Sequence, residues 1–152
     1  MQIGRRPEGG ATYLDDVDRA YVVAQLDGVM DDVVDLEVTA RRGSPLLLIS
    51  SGTDEGRRAE QLGTEIAALV PKVRLTVADA EPGGPDLPAF TLSARGAGEI
   101  RFVGLPRVNL FRALLDAIRR LSNHDHGFDP AWARDLRQLP ADVHAAVFAT
   151  PL

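Results

Sequence analysis

Three consecutive stretches between residues 46 and 78 constrain the fold more than any other part of the sequence. Residues 46–51, LLLISS, form a short apolar run that is typical of a buried strand. The following residues carry apolar side chains at helical spacing up to Val70, and Pro71 ends that helix. Residues 73–78, VRLTVA, alternate like a half-buried strand. Together they predict a βαβ unit with two parallel strands and a right-handed crossover.

The segment before this unit has two interpretations. Residues 14–42 carry an apolar stripe at alternating spacings of four and three, and the cations, glycine and proline of 41–45 are typical of a helix end. Within it, residues 34–38 alternate between apolar and polar, which indicates a strand. The longer stripe favours a helix, broken near Gly28. A strand within 28–40 stays open as the alternative.

The pattern after residue 88 predicts a hairpin, two helices and a last strand. Residues 89–93 and 100–103 are short strands joined by a glycine-containing turn, so they should pair antiparallel. Residues 107–122 form an amphipathic helix, and 129–139 a shorter one with an Asp-Pro start. The shorter helix has an apolar side made of Trp132, Leu136 and Leu139. Residues 143–149, VHAAVFA, predict a terminal strand that needs a partner, either the chain's own sheet edge or a second molecule.

The order strand, helix, strand, hairpin, helix over residues 45–121 resembles the thioredoxin and glutaredoxin fold. Pro88 precedes the third strand, where that fold carries a cis-proline. The run IRFVGLP at 100–106, followed by Phe111, resembles the F-x-G-x-P…F signature of one small group. That group contains the two-unit protein disulfide oxidoreductases and the N-terminal domain of the flavoprotein subunit of alkyl hydroperoxide reductase. The resemblance implies a cis Leu87–Pro88 bond, and a trans bond would count against it.

The resemblance also implies an architecture and a division of the chain. The fold would be an α/β thioredoxin-like, or glutaredoxin-like, sandwich whose four-stranded mixed sheet has flanking helices and an extra N-terminal helix. The chain would divide into a flexible tail, an N-terminal helical extension, the thioredoxin-like unit, and a linker helix with a terminal strand. These four segments span 1–12, 13–44, 45–122 and 123–152. The last would begin a second unit, whose redox motif would follow Leu152.

The chain contains no cysteine, which excludes disulfides, thiolate metal sites and a cysteine nucleophile. The resemblance places the Cys-x-x-Cys positions at Gly56 and Ala59, near the start of a helix. It therefore implies a redox-inactive unit, the structural or docking half of a disulfide oxidoreductase or peroxide-reductase-type protein. Such a unit has no catalytic residue of its own, binds no cofactor and is not an enzyme by itself. The alternative is a stand-alone, non-enzymatic interaction or dimerisation module of thioredoxin fold.

Such a unit would keep a binding groove although it has lost its two cysteines. In active relatives the proline before the third strand borders the substrate groove, so the resemblance implies a groove around that residue and the preceding helix start. The candidate groove residues are Thr53, Asp54, Arg57, Leu87 and Pro88. The expected occupant is a protein partner or a second copy of this chain.

The linker after the long helix contains possible metal ligands. His124, Asp125 and His126 follow one another, and Asp129 lies nearby. No further ligand stands at a recognisable spacing, and the surrounding residues are those of a polar linker. We therefore assign no metal site and expect a solvated loop.

Charge and hydropathy narrow the partner classes. With 22 acidic and 17 basic residues the net charge is −5, which argues against nucleic acid and anionic membranes. No apolar run approaches the ~20 residues of a membrane span. The N-terminus has two arginines without an apolar stretch after them, so it does not read as a secretory signal. The default expectation is a cytoplasmic protein.

Overall fold

The computed structural model describes residues 12–41, 51–81 and 87–148, with the backbone alone for 51–54. These residues contain four helices and four strands in an α/β arrangement. In chain order they are α1 (Asp16–Leu26), β1 (Val34–Ala40), α2 (Ser51–Leu69), β2 (Val73–Asp79), β3 (Ala89–Ala94), β4 (Gly98–Val103), α3 (Asn109–Ser122) and α4 (Pro130–Arg137).

The four strands form one open mixed sheet in the order β2-β1-β3-β4. β1 and β2 run parallel, from Val34 opposite Val73 to Ala40 opposite Asp79, and α2 connects them. β3 runs antiparallel to both β1 and β4. A parallel pair joined by a helix and an antiparallel hairpin are therefore both present, as the sequence predicts.

The favoured helix over 28–40 is wrong, and the strand alternative is correct. α1 ends at Leu26, and Gly28 has a φ of +70° that stops the helix. Val29 and Val33 continue the apolar stripe in the sequence, but both are exposed in the structure. The strand is favoured because β1 is a central strand: alternate side chains enter the core, and the backbone pairs on both sides.

Most of the predicted strand LLLISS cannot be compared with the structure. Residues 46–50 lie outside the described residues, and Ser51 is the first residue of α2. The partner of β2 is β1. The unit is therefore a βαβ unit whose first strand comes from the segment taken for a helix.

The helix predictions after residue 88 are confirmed with small shifts at the ends. α3 begins at Asn109 and ends at Ser122. α4 begins at Pro130, and the Asp129 carboxylate accepts a hydrogen bond from the Ala131 N–H at 2.8 Å. This Asp-Pro start satisfies one of the free N–H groups of the first turn.

The core lies on one face of the sheet. α2 packs against β1 and β2, α3 packs against β3, β4 and β1, and α1 packs against α2 and α3. Because of the strand alternation, Leu36, Phe90 and Leu92 enter this layer and are fully buried. Gly63 allows α2 to approach closely, since a Cβ there would lie 2.8 Å from Val38 Cγ2.

The opposite face of the sheet is open and polar. No side chain on this face of β1, β2 or β4 is fully buried, and the central rows pair Glu37 with Thr91 and Arg101. The side chains of this face on the four strands are Asp35, Glu37, Thr39, Arg74, Thr76, Ala78, Ala89, which is buried, Thr91, Ser93, Glu99, Arg101 and Val103. Among the described helices, those that pack on the sheet therefore cover one face alone.

The predicted cis peptide bond before Pro88 is wrong. No peptide bond in the described residues is cis, so Leu87–Pro88 is trans. The carbonyl oxygen of Pro88 accepts a hydrogen bond from the Gly104 N–H at 2.7 Å, which continues the β3–β4 ladder by one residue. An extended entry into β3 needs no reversal of the chain at this point. The trans bond counts against the thioredoxin-family resemblance.

The predicted terminal strand does not pair with the chain's own sheet in the described residues, and its pairing with a second molecule stays a prediction. Residues 143–148 form no strand, and all of them are exposed. A strand is stable only where its backbone groups find partners, and no described strand pairs with this segment. The apolar pattern is therefore left without a partner among the strands of the described residues.

Candidate functional site

The positions that the resemblance assigns to Cys-x-x-Cys lie inside α2. Gly56 and Ala59 are its sixth and ninth residues, and both are buried. A Cβ on Gly56 would lie 3.3 Å from the Ala40 Cβ and 3.4 Å from the Arg41 carbonyl oxygen. These positions therefore pack against the end of β1. A reactive thiolate instead needs an accessible helix N-terminus.

Of the other candidate groove residues, Pro88 lies at the same end of the sheet as Gly56. Thr39 pairs with Ala89, so Pro88 stands one step further along β3, level with Ala40. Pro88 is buried and Leu87 is half exposed. Arg57 is exposed on α2. Thr53 and Asp54 belong to α2, and their side chains lie outside the described residues.

A polar anchor that sequence reasoning missed joins the N-terminal segment to α2. The Glu65 carboxylate accepts hydrogen bonds from the backbone N–H groups of Tyr13 at 2.6 Å and Leu14 at 3.0 Å. It also binds Arg19 Nη2 at 3.1 Å, and only 11% of its side chain is exposed. No sequence spacing could reveal these contacts, because the partners stand 46 to 52 residues apart.

Tyr13 extends this anchor to the loop before α3. Its hydroxyl donates to the Pro106 carbonyl oxygen at 3.4 Å. Burial raises the pKa of Tyr13, and the charges of Arg107 and Arg58 oppose that rise. The phenol is therefore protonated at neutral pH and acts as a hydrogen-bond donor. These contacts hold the N-terminal segment against α2 and against the loop before α3. They do not activate a nucleophile.

The histidines and aspartates of the linker bind different partners. His124 Nε2 lies 2.7 Å from Asp32 Oδ2, across from the start of β1. His126 Nδ1 accepts from the Phe128 N–H at 3.1 Å, and Asp125 accepts from the Gly127 N–H at 3.0 Å. Within the described residues no three potential ligands come together to hold a metal ion.

The remaining candidate is the C-terminal segment, defined as residues 128–148. α4 is the helix of this segment, and Ala133 is its buried residue. Trp132 is 69% exposed and Phe148 is 97% exposed. The large apolar side chains exposed along the segment are Phe128, Trp132, Leu136, Leu139, Val143, Val147 and Phe148. The sequence predicts the apolar side of α4 but gives no sign that it faces water.

The spacing of these side chains makes one apolar strip. Trp132 and Leu136 stand four residues apart within α4 and share one side of that helix, while Phe128 lies two residues before its start and Leu139 two residues after its end. A shallow depression of about 430 Å³ continues the strip past the end of α4, and Leu139 and Val143 line it. Single exposed apolar residues are ordinary, but a contiguous strip is typical of an interaction site.

Leaving this strip in water is costly. Burying one large apolar side chain stabilises a protein by roughly 1.5–3 kcal/mol relative to leaving it exposed. The described core does not supply that burial, since α4 makes no extensive contact with any other described helix or strand. The segment can therefore gain stability from a surface that is not part of the described chain.

Comparisons with protein-family models and with curated proteins found no match to this chain. None of the helices in the described residues is long and apolar enough to cross a bilayer. What the geometry offers is a one-sided α/β unit that carries an exposed apolar segment.

Proposed function

We propose that this chain is a non-enzymatic protein-interaction module. The sheet and its three helices form the scaffold, and the C-terminal segment is the docking element. The observation that carries this proposal is the exposure of seven large apolar side chains within residues 128–148, beside a well-packed core.

The expected binding mode is a helix in a groove. An amphipathic helix binds a partner through apolar anchors one turn apart, as α4 offers with Trp132 and Leu136, and Phe128 stands just before its start. Tryptophan is enriched among the residues that contribute most to interfaces. Trp132 is the one tryptophan of the chain and stands at the centre of the strip. We therefore assign it the role of main anchor.

A second proposal is a redox-inactive thioredoxin-like unit that docks within a disulfide-oxidoreductase or peroxide-reductase-type protein. It is supported by the mixed sheet, by the lack of cysteine and by the position of Gly56 and Pro88, which both lie near the end of β1. The trans bond at Pro88 and the burial of Gly56 and Ala59 count against it. Both proposals give the chain a docking role without thiol chemistry.

Site-specific photo-crosslinking tests the docking element. A photoreactive residue replaces Leu136 in the strip or, as the matched control, Thr76 on the open face of the sheet. In cells of the source organism we expect one discrete protein adduct from position 136 and none of that kind from position 76. Adding Trp132→Ala should reduce the adduct by at least about tenfold, the loss of a main anchor.

Two outcomes would overturn the proposal. One is equal crosslinking from positions 136 and 76, which would mean that the strip has no preference for a partner. The other is an adduct that is unaffected by Trp132→Ala, which would mean that the strip does not bind through its central residue.

A further inference from the structure

We propose that the occupant of the C-terminal segment is a second copy of this chain. Residues 140–145 would add as an antiparallel strand to the outer edge of β4 in the partner copy, and the exchange would be reciprocal. This inference rests on the proposed docking role of the segment and names its partner.

The acceptor is the edge of the sheet at β4. The sheet order ends at β4, whose partner among the described strands is β3. Its outer N–H and C=O groups form a row that can pair with another strand. Ile100 and Val103 are 39% and 57% exposed at this edge. β4 thus presents both backbone groups and apolar side chains to an incoming strand.

The donor is the part of the C-terminal segment after α4. All residues from Ala141 to Phe148 are exposed, and none belongs to a helix or strand. Val143, Ala145 and Val147 alternate with the other residues, so an extended conformation places them on one side. Pro140 lacks an N–H and suits the first residue of a strand.

Charge selects one register between donor and acceptor. When Asp142 lies opposite Arg101, antiparallel pairing brings His144 opposite Glu99. The contact between Asp142 and Arg101 joins opposite charges at neutral pH. The contact between His144 and Glu99 joins opposite charges when the histidine is protonated. Opposite charges directly across a strand pair favour that register.

The same register satisfies the two faces of the sheet. Arg101 and Glu99 lie on the open polar face, so the polar side chains of the donor join that face. Between them, Val143 lies opposite Ile100, which shares the helix-covered face with Leu92. A slip by one residue would put both donor charges on the apolar face, which is why the register is specific.

A second copy is the occupant because each chain carries both the donor and the acceptor. Reciprocal exchange gives a closed two-fold dimer in which the same two surfaces meet twice. The strip on α4 would be carried with the donor strand to the dimer interface. Its two aromatic side chains, Phe128 and Trp132, belong to a class that can bury about 150–250 Å² each. With the aliphatic residues, this approaches the roughly 800 Å² per partner of a standard interface.

Sedimentation equilibrium on the full chain tests the inference through charge reversal. We expect the native chain to form dimers with a dissociation constant below about 100 μM. Arg101→Glu should weaken dimerisation by about tenfold or more, because repulsion from Asp142 replaces attraction at two symmetric contacts. Asp142→Arg should do the same. The double variant R101E/D142R should recover the native dissociation constant to within about threefold.

A matched control and a crosslink complete the test. Arg74→Glu makes the same charge change on β2, at the other edge of the sheet from β4, and should leave dimerisation unchanged. Because the chain has no cysteine of its own, a mixture of the single variants R101C and D142C can form one disulfide, between two chains. We expect that disulfide to form under mild oxidation.

The outcomes separate this inference from the proposed function. A native chain that stays monomeric overturns the second-copy proposal, while an adduct from position 136 to another protein would leave the docking role intact. A dimer that ignores Arg101→Glu, or that is not restored by the double charge reversal, overturns the strand register. A disulfide that forms in the doubly substituted single chain but never between R101C and D142C chains places the donor on its own edge and overturns the exchange.

Discussion

The folded unit, residues 12–122, and the C-terminal segment share an apolar pattern but differ in what happens to it. In the unit, the apolar sides of α2 and α3 meet the apolar face of the sheet. Leu62, Ile66 and Leu114 are fully buried there. In the segment, α4 has an equally regular apolar side that faces water. Amphipathic periodicity therefore identifies an element but not its partner, because burial requires a second layer.

The largest effect on stability is expected when one leucine from each region is replaced by alanine. Leu92 is fully buried, so Leu92→Ala should lower the free energy of unfolding by about 2–5 kcal/mol through lost burial and a cavity. Leu136→Ala, the same change on the exposed strip, should lower it by less than about 0.5 kcal/mol at concentrations where the chain is monomeric. Urea unfolding followed by circular dichroism measures both. Similar losses at the two sites would contradict the contrast.

A smaller effect is expected where the folded unit is joined by polar contacts. Glu65→Gln replaces one acceptor oxygen by a donor, which cannot serve the N–H groups of Tyr13 and Leu14 together with Arg19. The expected loss of stability is about 1–3 kcal/mol. Amide hydrogen exchange at Tyr13 and Leu14 should accelerate. Glu99→Gln on the open face is the control, and an equal loss there would mean that the anchor has no special role.

The loss of stability at acid pH gives a third comparison. Hydrogen bonds from Arg119 and Arg120 lower the pKa of Asp116 below its ordinary 3.8. A carboxyl whose pKa is lowered by folding stabilises the protein above its unfolded pKa, and this is lost as the pH falls through the folded value.

Asp116→Asn should therefore flatten the acid limb of the unfolding curve below about pH 4. Since the carboxylate is 47% exposed and solvent screens it, the expected difference is under about 1 kcal/mol. Salt at about 1 M should reduce the difference further. A variant that loses stability as steeply as the native chain on acidification would argue against these ion pairs.

The smallest expected effect on stability is at the centre of the strip. Trp132→Ala should change the free energy of unfolding by less than about 0.5 kcal/mol in the monomer, since 69% of the residue is already in water. The native fluorescence should resemble that of tryptophan in water, and should shift to shorter wavelength as protein concentration rises and the strip becomes covered. An emission that is already shifted in dilute monomer would mean that the chain covers its own strip.

The sequence predicts the elements whose pattern is local. The alternation in Val73–Asp79, the glycine turn of the hairpin and the Asp-Pro start of α4 depend on neighbouring residues, and all three appear in the structure. The failures concern partners distant in sequence. Val34–Ala40 fits a helix or a strand by spacing, and its central place between β2 and β3 decides the matter.

The candidate site shows the same division. The sequence identifies the apolar side of Trp132 and Leu136, since that follows from helical spacing. It does not show that the side stays uncovered, nor that Glu65 receives contacts from residues some fifty positions away. Both depend on how the layers close, which no local pattern records. The extended entry at Pro88 likewise follows from the Gly104 contact and not from the proline itself.

The place of β1 in the sheet has a consequence for synthesis on the ribosome. β1 is the first strand to be made, yet its two neighbours, β2 and β3, lie 33 or more residues later in the chain. Until they emerge, Leu36 and Val38 have no sheet to join, and the nascent chain carries an unpaired apolar strand. The hairpin of β3 and β4 can form alone within microseconds, whereas closure around β1 must bring distant segments together. Among the described strands, β1 is therefore made first, and it gains its two neighbours only after β2 and β3 have been made.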